Sequence, residues 1–211
     1  MKKSVLVAIL HQGSIRTGLG FFMAYVARDV RFNVSVKQYG LQPAQHNRNV
    51  IVKDFLKGEW DYLLVIDDDI LPPRNILDLV LLDKDVIGGV CPQWRDGDMF
   101  FVVMDKVGER QYKQVPVERR GGLRRVEVLG TGCMLIKRKV LETIKAPFER
   151  KWGEDGCQEV GLDFYFCDKC REKEFEIWAH WDYPCGHKKS IDLLDVYKLV
   201  SKVKGDLSCI V

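Results

Sequence analysis

The chain has 211 residues, 46% of them hydrophobic and 30% charged, with a net charge of +3. This composition excludes a disordered chain and a collagen-like repeat, the near-neutral charge creates no demand for a nucleic-acid partner, and no apolar stretch reaches the roughly 20 residues that cross a bilayer. The seven cysteines are an odd number, which fits a reducing cytoplasm better than a secreted disulfide framework.

Residues 4–10 form a β-rich apolar run, followed by a loop holding Gly13, Gly18 and Gly20. Residues 21–31 carry apolar side chains at helical spacing, and 33–38 alternate with period two. A helix is predicted over 45–56. Residues 62–66 are continuously apolar, as in a central strand buried on both faces. Pro72 and Pro73 open a further helix over 75–82, and 86–90 form a fourth strand. This β-α-β order predicts an α/β fold: a single Rossmann-like domain with a mostly parallel sheet and helices on both faces. The second half is more mixed. Shorter, antiparallel strands are predicted at 100–104, 111–115 and 124–128. A strand at 133–136, a helix at 139–144, a helix at 160–173 and a strand at 175–178 complete the body. The tail, 192–204, is amphipathic. Leu193, Val196, Tyr197, Val200 and Val203 form one stripe, with lysines gathered at the C-terminal end. The pattern suits packing on the body; a peripheral membrane contact is the alternative. One domain spans 1–211, with a nucleotide-binding half (1–92), an acceptor and catalytic half (93–190) and the tail.

Three segments carry candidate chemistry. Asp67, Asp68 and Asp69 follow the buried strand directly. In extended chain Asp67 and Asp69 point to one side and Asp68 to the other. Two such carboxylates repel unless a cation lies between them, and oxygen ligands suit Mg²⁺ or Mn²⁺. The site would lie outside the carboxyl ends of the strands, where α/β sheets bind ligands. Asp163 stands in the first turn of its helix and could take a proton from an attacking hydroxyl. His187, after Gly186, is a candidate metal ligand.

Taken together, Arg48-Asn49, VIDDDILPP, LGTGCMLI, LDFYFCDKCREKEFEI and CGH, in this order, resemble a GT-A-type, family-2-like inverting glycosyltransferase with a DxD motif. The resemblance runs from about residue 5 to about residue 193. It implies a metal-dependent enzyme that moves a sugar from a UDP- or GDP-sugar to an acceptor hydroxyl. Asp69 would be the direct Mn²⁺ or Mg²⁺ ligand, Asp67 would lie by the metal and the ribose, and His187 would complete the metal site. Arg48, His11, Gln12 and Asp68 would line the nucleotide, and Thr131 and Gly132 would lie beside the transferred sugar or the acceptor. Asp163 would be the general base. The chain departs from the family at Leu162, where the resemblance implies a first acid beside the base; Glu159, Glu154 and Asp155 are alternative acids nearby. Two rival readings follow from the residues. One is a nucleotidyltransferase of related fold, which the missing Gly-rich, Lys-containing loop disfavours. The other is a zinc-stabilised binding module using Cys167, Cys170, Cys185 and His187.

Overall fold

The computed structural model describes residues 2–95, 98–109, 111–190 and 192–204, with side chains up to 201. A seven-stranded sheet forms its centre. In chain order the strands are β1 (Ser4–Leu10), β2 (Asn33–Tyr39), β3 (Tyr62–Asp67), β4 (Val86–Val90), β5 (Leu123–Val126), β6 (Cys133–Lys137) and β7 (Ile177–Pro184). Across the sheet they run β5-β7-β4-β6-β3-β1-β2. β2, β1, β3, β4 and β7 share one direction, while β5 and β6 oppose it. The mostly parallel α/β sheet is therefore as expected.

Helices cover both faces because the strands alternate. Leu6, Ala8 and Leu10 of β1 face one core, with Ile51, Val52 and Phe55 of α2 (Ala44–Lys57), Val140 and Leu141 of α3 (Arg138–Thr143) and Phe166 of α4 (Leu162–Glu172). Val5, Val7 and Ile9 face the other core, with Leu19, Phe22 and Val26 of α1 (Thr17–Val26). Burying such side chains is the main drive that holds the layers together.

Several boundaries differ from the sequence pattern. α1 begins at Thr17 and takes in Gly18 and Gly20, expected in a loop; it ends at Val26, and Asp29 then caps a tight turn by accepting from the Arg31 N–H at 3.1 Å. Residues Ile76–Leu82 form a 3₁₀ helix. With three residues per turn, Ile76 stacks over Leu79 and Leu77 over Val80, and all four are buried. The strand expected at 124–128 is two strands in different sheets, Leu123–Val126 and Val128–Leu129. That expected at 100–104 is also divided, into Asp98–Phe101 and Val103–Gly108. The tail helix α5 (Leu193–Lys204) forms, but Leu193, Leu194 and Tyr197 are exposed. Its apolar stripe is not packed on the body as expected; the side chain of Val203 lies outside the described residues. Among the described residues, no helix is long and apolar enough to cross a membrane.

Candidate active site

The parallel register sets Leu10 of β1 beside Tyr39 of β2 and Asp67 of β3. The carboxyl ends of three strands therefore reach one edge. The chain enters the antiparallel β6 at the same edge, with Cys133 opposite Ile66, and the Asp67 N–H donates to the Gly132 carbonyl at 3.0 Å. A two-residue ladder pairs Ile70 with His187 and Leu71 with Gly186. It brings a distant C-terminal segment against the acidic turn.

Two clefts adjoin there and share Asp67 and Asp69. The first, about 240 Å³, is lined among others by Gly130, Thr131, Gly132, Asp163, His187 and Lys189. The second, about 160 Å³, is lined by His11, Gln12, Asn47, Arg48 and Asp68 among others. His11, Gln12, Arg48, Asp67, Asp68, Asp69, Thr131, Gly132, Asp163 and His187 thus each line one or other of the two clefts.

Their individual contacts differ in character. Arg48 is 4% exposed, and its Nη2 donates to Asp67 Oδ1 at 2.6 Å. Burial pushes the Asp67 carboxyl above the usual carboxylate range, and Arg48 pulls against that shift. Asp68 turns the other way and accepts from the Gln12 N–H at 3.2 Å. Asp69 Oδ2 faces His187 Nε2 at 3.0 Å and accepts from Lys189 Nζ at 2.5 Å. Burial would raise the Asp69 carboxyl, but His187 and Lys189 outweigh it and hold it down to about 2. Asp163 Oδ1 accepts from both the backbone N–H and the hydroxyl of Thr131. His11 Nδ1 accepts from the Gly13 N–H at 3.1 Å, inside the second cleft's rim.

Two of the three expected metal ligands, Asp69 and His187, face each other. His187 Nδ1 lies 2.7 Å from the Pro92 carbonyl, which can only accept, so Nδ1 carries the proton. Nε2 faces an Asp69 carboxylate oxygen at 3.0 Å, a separation at which a proton or a cation stands between the two. Asp67, Asp69 and His187 do not come together as a trio, because Asp67 is drawn to Arg48. Among the described residues no three His, Cys, Asp or Glu side chains form a group able to hold an ion.

The zinc reading is overturned. Cys167 and Cys170 are buried in the core under α4, whereas Cys185 packs in the core on the opposite face of the sheet. Helical spacing turns the first pair inward as apolar side chains, so these thiols and His187 share no site. Leu162, which stands where an acid was implied, is 8% exposed and belongs to the same core. Glu154, Asp155 and Glu159 line neither cleft; Asp155 instead accepts from the Cys157 N–H at 2.9 Å within a hairpin turn.

Sequence reasoning missed Asn47 and Lys189. Among the described residues, Asn47 Oδ1 and Arg48 Nε are buried without a hydrogen-bond partner beside the second cleft. The signal was present: Asn47, Arg48, Ile51, Val52 and Phe55 form the buried stripe of α2, so two polar residues occupy core positions of a helix. Lys189 stands two residues after His187, the spacing that returns to one side of extended chain.

Scans of protein-family models and of curated proteins find no match. Among solved structures the chain is similar to A197 from STIV, with a TM-score of 0.61 and 20% identity over 90% of this chain and 87% of that one. It is similar to GalNAc-T7, solved with UDP, GalNAc and Mn²⁺, at a TM-score of 0.52 and 11% identity over 95% of this chain and 48% of that one. It is also similar to 4-diphosphocytidyl-2C-methyl-D-erythritol synthase from Anaerococcus prevotii, at 0.50 and 8% identity over 96% and 97%. At these identities the likeness is one of fold.

Proposed function

We propose that this chain is a glycosyltransferase that moves a sugar from a UDP- or GDP-sugar to an acceptor hydroxyl with inversion. The observation that carries the reading is the pair of clefts meeting at Asp67 and Asp69, with Asp163 in the wall of one and orphaned polar atoms beside the other. Asn47 Oδ1 offers an acceptor and Arg48 Nε a donor, a pairing that suits the edge of a nucleobase or a ribose. His11, Gln12 and Asp68 complete that end. Asp69 and His187, with Asp67 turned from Arg48, would hold Mn²⁺ or Mg²⁺. A bound ion there supplies Lewis-acid stabilisation to a diphosphate leaving group. Lys189 adds a positive charge beside it. Thr131 and Gly132 border the space for the transferred sugar.

Asp163 accepts the proton of the acceptor hydroxyl as its oxygen attacks the anomeric carbon. The bond to the diphosphate oxygen breaks with its electron pair, and the nucleoside diphosphate departs. One displacement inverts the anomeric centre, and no protein nucleophile is required. Both Thr131 bonds fall on Oδ1 of Asp163, which leaves Oδ2 to receive the proton.

The test is a thermal-shift panel of UDP, GDP and their sugars, each with and without Mn²⁺, followed by product analysis. Mn²⁺-dependent stabilisation by a nucleoside diphosphate and release of that diphosphate from its sugar support the reading. Release of pyrophosphate from a nucleoside triphosphate would instead support nucleotidyl transfer, which this fold also accommodates.

A further inference from the structure

We infer that Thr131 is a positioning residue that aims the Asp163 carboxylate across the cleft, and not a ligand of the sugar; the inference rests on the glycosyl-transfer reading above. Thr131 is 4% exposed. Its backbone N–H and its hydroxyl donate to the same Oδ1 of Asp163, at 3.0 and 2.5 Å. A hydroxyl has one proton, and here it is committed to the carboxylate.

The need for this clamp comes from where Asp163 sits. α4 begins after Gly161, an N-cap residue without a side chain to cap the free amides. A first-turn Asp is drawn to such amides by hydrogen bonding and by the helix dipole. Turned back in that way, Asp163 would satisfy its own helix and leave the cleft. Two donors from Thr131 oppose that rotation and hold one orientation.

The loop carrying Thr131 is itself pinned on both sides. The Gly130 N–H donates to the Val102 carbonyl at 2.7 Å, and the Gly132 carbonyl accepts from the Asp67 N–H at 3.0 Å. Through one residue, the base is thus tied to the strand that carries the acids. Misplacing a reacting group by about 1 Å costs on the order of a hundredfold in rate.

The experiment compares wild type, Thr131→Val, Thr131→Ser and Asp163→Asn for nucleoside diphosphate release from UDP-glucose and GDP-mannose with Mn²⁺. Val keeps the shape and the backbone donor but loses the hydroxyl; Ser keeps the hydroxyl. Thr131→Val is expected to lower kcat by about tenfold to a hundredfold with donor KM within about twofold. Thr131→Ser is expected to recover wild-type kcat to within about threefold. Should Thr131→Val fail to fold, Thr131→Ala is read in its place with the same expectations. Unchanged kcat without the hydroxyl, equal losses in the hydroxyl-free and Ser variants, or a loss confined to donor KM overturns the positioning role. These outcomes count against that role alone when the wild type turns over and Asp163→Asn is inactive. No release by wild type from either probe, or full activity in Asp163→Asn, counts against the transferase reading and removes the inference with it.

Discussion

Arg48 is a guanidinium held almost wholly out of solvent, and its ion partner Asp67 is itself half-buried. Removing one member of such a pair strands the other, a larger loss than the pair's net worth. Arg48→Met is therefore expected to destabilise the fold by about 1–3 kcal/mol, read as a lower melting temperature, and to abolish stabilisation by UDP or GDP. Asp69→Ala should behave differently. Its carboxylate bridges His187 and Lys189 at the rim of the cleft, so the variant should keep a metal-free nucleotide shift and lose the Mn²⁺-dependent increment, measured in the same thermal assay. At this scale the sequence was most readable where partners were neighbours. Asp67, Asp68 and Asp69 advertise themselves because adjacency in an extended segment fixes where they point. The Arg48–Asp67 bond, the Thr131–Asp163 bond and Lys189 on Asp69 span large separations in the chain, and only the folded arrangement selects them. Leu162 illustrates the limit of motif reasoning: a missing acid in a pattern is, in space, an apolar side chain completing a core.

Among the elements, β4 shows why a strand can require glycine. A Cβ on Gly88 would stand 2.4 Å from the Cys133 carbonyl, and one on Gly89 2.3 Å from the Tyr183 carbonyl. Both obstacles are backbone and cannot move aside as a flexible side chain would. Gly88→Ala is expected to cost about 1–3 kcal/mol or more by overpacking, seen as a shift of the urea midpoint, despite the higher strand propensity of the new residue. Elements buried on both faces were legible: β1 and β3 read as continuous apolar runs because nothing polar can face water from them. The small edge pairings were not. Pro92–Arg95 with Asp98–Phe101, and Ile70–Leu71 with Gly186–His187, draw their stability from partners, and two to four residues hold no period to detect. The helix expected over 75–82 forms, and its 3₁₀ character is not legible in the sequence because seven apolar-rich residues fit either spacing. Asp83 then closes it in the left-handed region, at φ 50°, a conformation that Asp tolerates better than most residues.

For the molecule as a whole, four carboxylates outside the site link stability to pH. Arg31 holds Asp29 below the ordinary carboxylate range, Lys37 does so for Asp54, Lys137 for Asp83 and Lys169 for Glu172. Each is ionised and partnered in the folded state. Their contribution is complete above the unfolded value near 4 and disappears as pH falls through the lower folded values. The melting temperature should therefore be nearly flat from about pH 8 to 5 and drop below about pH 4. Because these pairs are partly solvated, about 1 M salt should shrink the drop without erasing it. The ladder between Ile70 and His187 has a temporal meaning as well. It joins positions more than a hundred residues apart, as the His187–Asp69 contact spanning 118 positions records. During synthesis, β1 to β3 emerge from the ribosome long before the segment that supplies the imidazole. A nascent chain halted before residue 186 would own the acidic turn without its counterpart, so the His187–Asp69 contact forms only after more than a hundred further residues have emerged.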